Sequence, residues 1–385
     1  MASSWPGNER RCFRRSWNYR PAQLVSNPMS DRKVQKSERM GDSRPPSRME
    51  MEAQEAAEVA ERQLDEYPLL LPEIGRRLRQ SPPQLVMTCA RGSSDHAASF
   101  AKHLIETQTS TPTASHSPSV SSIFGTRWRR LDDTLFLAIS QSGQSPDLLL
   151  SAQAARQAGA FVLSMINAAS SPLERESSAT LPILAGPERS VAATKSYIGS
   201  LLAIVHLVAE WTGSDTLHRA LERSPDALRQ AWALDWGRAV DALLDVRDMY
   251  VIGRGSTLGI AQETALKLKE TCGIHAEAVS AAEVRHGPIA IVGKDFPVLV
   301  LAPNDAARPS VEELAADLVS RGAHVLVAGA EVEGATNLPG LANLDAALAP
   351  ATLIMSVYKM VAALSRARGF DPDAPAHLMK VTETR

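Results

Sequence analysis

Three separated stretches of this 385-residue chain recur at one fixed spacing, 163 residues further on. Val86–Ser94 (VMTCARGSS) matches Met249–Thr257 (MYVIGRGST), Leu135–Ser140 (LFLAIS) falls on Val298–Pro303 (VLVLAP), and Gly159–Leu163 (GAFVL) on Gly322–Leu326 (GAHVL). A register kept without a gap across three strands implies two tandem copies of one unit. Within each copy a short apolar run, a turn rich in Gly, Ser or Pro, and a helix-spaced segment alternate. That pattern predicts an α/β chain with two doubly wound parallel sheets flanked by helices. The first copy, residues 75–216, offers strands at 85–89, 135–139, 161–166 and 179–184. The second, residues 237–375, offers 249–252, 298–301, 325–327 and a weaker one near Leu344. Residues 217–240 read as a helical connector, and 376–385 as a C-terminal tail.

Ahead of the repeat, residues 51–82 have helical spacing and close at Pro82-Pro83, a helical lead-in. Residues 1–50 are rich in Arg and Ser without apolar periodicity, and disorder is expected there. A transit peptide, or a translation start at Met29, Met40, Met49 or Met51, are the alternatives for that segment. The longest apolar runs, Tyr197–Trp211 and Leu348–Leu364, contain His206, Glu210, Pro350 and Lys359. They fall short of the roughly 20 clean apolar residues of a membrane span and read as buried helices, of a kind that often meet at a dimer interface. Three cysteines, none in metal-type spacing, suit a reducing, cytoplasmic compartment. A net charge of -2 gives no electrostatic case for nucleic acid, so partners should be small molecules or other chains.

Chemistry concentrates in two places. Leu266–Pro288 packs Lys267, Glu270 and His286 into a sequence of small and apolar residues. Lys267 and Glu270 stand three apart and share a helix face, while Gly287-Pro288 fixes His286 on a loop. A base on a helix and a histidine on a loop suit proton transfer, although a solvated helix face fits the same residues. The second place is the first copy's loop Ser140–Ser145, with hydroxyls at Ser140, Ser142 and Ser145, the Gln141 amide, and Gly143 before a helix. It lies where open parallel sheets bind ligands and reads as a phosphate cradle or as a plain Ser-rich turn. The loop with Ser93 and Ser94 lies beside it. The second copy replaces the hydroxyls with PNDAAR at 303–308, whereas a scaffold turn would survive in both copies. One phosphate site per chain follows. Lys195, at the start of the long apolar helix, is either a surface lysine or part of a substrate shell. Lys380 is either a solvated tail lysine or an amine able to form a Schiff base.

Together SQSGQS (140–145), VAATK (191–195), ALKLKE (265–270), IHAEA (274–278), AAEVRHGP (281–288) and the tail LMK resemble the sugar isomerase (SIS) domain pair of glucosamine-6-phosphate synthase and stand-alone SIS-type deaminases. The resemblance covers about residues 70–385. It implies a sugar phosphate held by Ser93, Ser94, Ser140, Gln141, Ser142 and Ser145, with the backbone near Val191 lining the pocket. It further implies that Glu270 moves a proton between C1 and C2, Lys267 stabilises the enol, and Lys380 forms a Schiff base with the ketose. His286 would aid ring opening from the other subunit of a homodimer. The synthase's glutaminase domain has no counterpart in the 70 or so residues before the repeat, and the tail departs from the synthase ending after Lys380. The implied direction is therefore breakdown, glucosamine 6-phosphate and water giving fructose 6-phosphate and ammonia, with no metal or redox cofactor. Deaminases of galactosamine or fructosamine 6-phosphates and a non-catalytic sugar-phosphate sensor are the rival readings. A sensor usually carries a DNA-binding helix-turn-helix, and residues 1–60 lack that pattern.

Overall fold

In a computed structural model of the chain, the structure describes residues 45–378 and 380. The expected disorder of the N-terminal segment thus lies outside the described residues as far as residue 44. From there the fold starts earlier than the sequence implied. Ser47 and Glu50 form a reciprocal capping box that opens α1 (Arg48–Gln54), and Met49 is fully buried. Residues 47–50 are therefore part of the folded unit, and the lead-in is two helices, α1 and the long α2 (Ala56–Gln80).

The first copy then runs β1 (Leu85–Cys89), α3 (Ser93–Thr109), β2 (Thr113–Ser115), α4 (Ser119–Ser122), β3 (Thr134–Ser140), α5 (Pro146–Gln157), β4 (Phe161–Ile166), α6 (Pro172–Glu176), β5 (Ala179–Pro182) and α7 (Lys195–Thr212). Its five strands are parallel, in the order β2-β1-β3-β4-β5. The connector is three helices, α8 (Asp215–Glu222), α9 (Ser224–Ala233) and α10 (Gly237–Leu243). The second copy follows with β6 (Asp248–Gly253), α11 (Leu258–Cys272), β7 (His275–Ser280), β8 (Pro297–Leu301), α12 (Arg308–Ser320), β9 (His324–Ala328), β10 (Thr336–Leu338) and α13 (Ala349–Ala367). Its parallel sheet is ordered β10-β9-β8-β6-β7. The strands β1, β3 and β4 begin at 85, 134 and 161, and β6, β8 and β9 at 248, 297 and 324, each 163 residues on.

The central strands are apolar on both faces because helices cover both sides, and all seven residues of β3 are buried. Two edge strands escaped the sequence reading. β2 is three residues long, and β7 (HAEAVS), with His275, Glu277 and Ser280 among its six residues, is too polar to stand out. The strand expected near Leu344 is not there; that residue sits in a loop, and the edge strand is β10, where the copies lose their common spacing. The apolar runs are α7 and α13, buried along most of their length within this one chain. One apolar core runs from Met49 through both copies to Leu364. The copies meet where α3 crosses α11. A Cβ on Gly259 would lie 2.4 Å from the His96 carbonyl oxygen, so only glycine permits this approach. Among the described residues no helix is long and apolar enough to cross a membrane.

Candidate active site

A cleft of about 420 Å³ opens at the carboxyl ends of β1 and β3, walled on its far side by α11. The loop after β1 turns at Gly92, whose φ of +54° begins α3 without a side-chain cap. The Arg91 guanidinium donates to the buried Asp147 carboxylate at 2.8 Å and ties this loop to the first turn of α5. In the loop after β3, the Ser140 hydroxyl accepts from the Gly143 N–H at 3.0 Å and the Ser142 hydroxyl from the Gln144 N–H at 3.3 Å. Gly143 is required twice over, since its φ is +62° and a Cβ would lie 2.3 Å from the Ser171 hydroxyl. Like α3, α5 starts without a side-chain cap, but its Pro146 has no N–H and its Leu148 N–H donates to the Asp147 carboxylate at 2.9 Å, so the helix start that faces the cleft with N–H groups is that of α3, at Ser93 and Ser94. Serine hydroxyls line this side of the cleft with Arg91, paired to Asp147, beside them, an arrangement suited to an anion.

Across the cleft, α11 sets Glu263, Lys267 and Glu270 on one face by its 3.6-residue period. Lys267 is 1% exposed, 2.7 Å from Glu270 and 3.2 Å from both Glu263 and the Ser93 hydroxyl. Burial alone would discharge it, but the two carboxylates outweigh that cost and raise its pKa, so the ammonium persists. Glu263 has no exposure at all and accepts from Ser93 at 3.0 Å and Tyr358 at 3.0 Å, with His96 Nδ1 at 2.9 Å. Burial pushes its carboxyl up, yet Lys267, His96 and Ser93 hold it at about 2. Glu270 keeps a fifth of its side chain open to the cleft.

The loop between β5 and α7 closes the third side. Buried Glu188 accepts the Thr194 N–H at 2.8 Å, the Ser196 hydroxyl at 2.6 Å and the Gln141 amide at 2.7 Å. Lys380 returns from the tail to donate to the Ser190 carbonyl at 2.6 Å, 3.6 Å from Glu188.

The structure thus brings Ser93, Ser94, Ser140, Gln141, Ser142, Ser145, Val191, Lys267, Glu270 and Lys380 to one cleft. His286 is not among its lining residues; it is exposed on a short 3-10 turn after β7. Lys195 is neither a surface lysine nor a lining residue, being buried against Glu55 at 2.5 Å. Lys267 is not on a solvated face. Sequence reading missed Glu263, His96, Tyr358 and Glu188, although Glu263, four residues before Lys267, was readable from helical spacing. A larger cleft of about 1200 Å³ lies beside β8, β9 and β10, with Arg219, Arg223 and Arg308 on its wall. It holds none of these groups.

A family model for the SIS domain matches residues 82–210 and 242–368. The chain belongs to the SIS domain family. The two matched spans are the two copies, and α1, α2 and Lys380 lie outside both SIS domains. Glutamine–fructose-6-phosphate aminotransferase (isomerizing) of Pseudomonas putida is 33% identical over 315 residues, 77% of this chain and 51% of that one. Its counterpart in Aeropyrum pernix is 37% identical over 271 residues, 64% and 43%. The chain spans about half the length of the curated relatives it matches. A solved structure from Silicibacter pomeroyi, provisionally named a phosphosugar isomerase, superposes with a TM-score of 0.82 at 40% identity, over 85% of this chain and 100% of that one. Glucosamine-6-phosphate deaminase of Thermotoga maritima shares the fold, with a TM-score of 0.70 at 21% identity over 88% of this chain and 100% of that one.

Proposed function

We propose that this SIS-domain protein is a cytoplasmic sugar-phosphate enzyme that converts glucosamine 6-phosphate and water to fructose 6-phosphate and ammonia. One observation carries the reading: a serine-lined cradle suited to a phosphate and the Lys267–Glu270 pair face each other across a single cleft, with Lys380 beside them. In this reading the serine loops hold the phosphate. Glu270 takes the C2 proton of the open-chain amino aldose and returns it to C1, giving a C2 imine, while the Lys267 ammonium stabilises the enol form between. Water adds at C2 and ammonia leaves. The Lys380 amine is suited to a Schiff base with the ketose carbonyl.

Ring opening is assigned to His286 of a second copy in a homodimer. In support, His286 is exposed away from its own cleft, and Ile291, on the next turn, is 62% exposed. A second reading, plain aldose–ketose isomerisation without amine loss, draws support from the Silicibacter pomeroyi relative and uses the same proton transfer.

The test incubates purified protein with glucosamine 6-phosphate, galactosamine 6-phosphate and N-acetylglucosamine 6-phosphate, following ammonia and ketose phosphate. Ammonia from an amino sugar supports deamination and identifies the epimer. Ketose phosphate without ammonia moves the assignment to the isomerase. Glu270→Gln is expected to bind substrate while losing about 10²–10⁴-fold in kcat; parental turnover by that variant would remove Glu270 as the base.

A further inference from the structure

The seven-residue α1 lies outside both SIS spans, yet its two acids reach the end of α13 and the β5–α7 loop beside the cleft. Its first N–H groups, on Arg48 and Met49, donate to the Asp373 carboxylate in the tail turn, both at 2.8 Å. Glu50 pairs with Arg366 near the end of α13, one contact at 2.7 Å. Glu55, just past the helix, receives the buried Lys195 ammonium at the start of α7. Glu52, 5% exposed, turns both carboxylate oxygens onto the backbone of the β5–α7 loop, accepting the N–H groups of Arg189 at 2.5 Å and Ser190 at 2.9 Å. The carbonyl of that same Ser190 accepts Lys380.

We propose that Glu52 is a positioning residue for Lys380, and that α1 completes the active site from outside the SIS domains. The idea rests on the sugar-phosphate reading only where turnover is concerned. Residues 183–194 contain no helix or strand, so the peptide that receives the lysine has no ladder to fix it. A charged carboxylate gripping two consecutive N–H groups does so instead, with bonds stronger than neutral ones. Glu188, on the same loop, carries the alignment onward to Gln141 in the phosphate cradle. Misplacing a reacting amine by about 1 Å costs on the order of 10²-fold in rate, while the cradle, held by its own Ser140 and Ser142 bonds, is left intact.

The variant is Glu52→Gln, which keeps the volume but removes the charge and presents one donor to an N–H. The first readout needs no substrate: acetic anhydride labelling of each lysine in the full chain, followed by mass spectrometry. Lys380 is expected to label about fivefold faster than in the parent, the equivalent of one lost hydrogen bond, with the buried Lys195 and Lys267 as slow as before. The second is turnover of glucosamine 6-phosphate, in which kcat should fall about 10- to 100-fold with KM within about threefold. Unchanged Lys380 labelling overturns the proposal whether or not the parent deaminates. A variant whose Lys380 labels faster as expected, beside a parent that releases no ammonia, removes the deaminase reading and leaves Glu52 in place. If Lys195 and Lys267 also label faster, the fold has loosened. Glu52→Asp, which keeps the charge but withdraws it by one methylene, is then read by the same two criteria, and parental Lys380 labelling and kcat in a protein that keeps Lys195 and Lys267 slow would overturn the proposal.

Discussion

Glu263 is the group whose removal says most about how the two copies are joined, because its partners come from both. Ser93 and His96 belong to α3 of the first copy, Lys267 and Tyr358 to α11 and α13 of the second. Glu263→Gln preserves the volume, removes the charge, and leaves Lys267 with Glu270 as its one remaining carboxylate at bonding distance. Two routes give the size of the effect. Holding a carboxyl at about 2 rather than its usual 4.5 corresponds to about 3 kcal/mol in favour of the ionised form. Breaking a buried ion pair by removing one partner typically costs about 3–5 kcal/mol. The expected loss is therefore about 3 kcal/mol, measured from urea unfolding curves at pH 7. Lys267→Met should cost a similar amount, but the double variant should be more stable than the sum of the two losses implies, since neither charge is then stranded. A Glu263→Gln protein within about 1 kcal/mol of the parent, or strictly additive losses, would refute the account of a coupled buried pair.

Gly259→Ala drives a methyl into the His96 carbonyl and should cost about 1–3 kcal/mol in urea unfolding, with weaker sugar-phosphate binding as α11 is pushed off α3. A pH dependence follows from His206, buried edge-on against Tyr67 at 4.8 Å and held down to about 3 by burial and, secondarily, by His218. Its neutral form is bound in the fold while the unfolded chain protonates near 6.5, so the stability it contributes is present above that pH and lost progressively as pH falls toward 3. His206→Leu should flatten the unfolding midpoint between pH 6.5 and 4, whereas the contribution of Glu263, present above 4.5 and lost as pH falls toward 2, should remain.

The sequence alone determined the repeat, the two parallel sheets, and the serine-rich turns that line one side of the cleft. Each is written in local patterns: apolar runs of strand length, Gly and Ser where a helix begins, and a spacing of 163 that the strands β1, β3, β4 and β6, β8, β9 keep to the residue. Helical periodicity also put Lys267 and Glu270 on one face. What that face met was not written there. Charged residues on an alanine-rich helix look the same whether water or a second carboxylate lies opposite, and only the crossing of α3 with α11 brought Ser93 and His96 onto Glu263 and made the face an interior. The same holds for Glu52, whose partners lie 137 and 138 residues away on a loop without regular structure. Short polar edge strands such as β2 and β7 form because a neighbouring strand offers them a ladder, not because their own residues demand it. The sequence therefore specified the sheets and the serine-rich turns through local patterns, and the packing of distant segments decided which charged groups gather at the cleft.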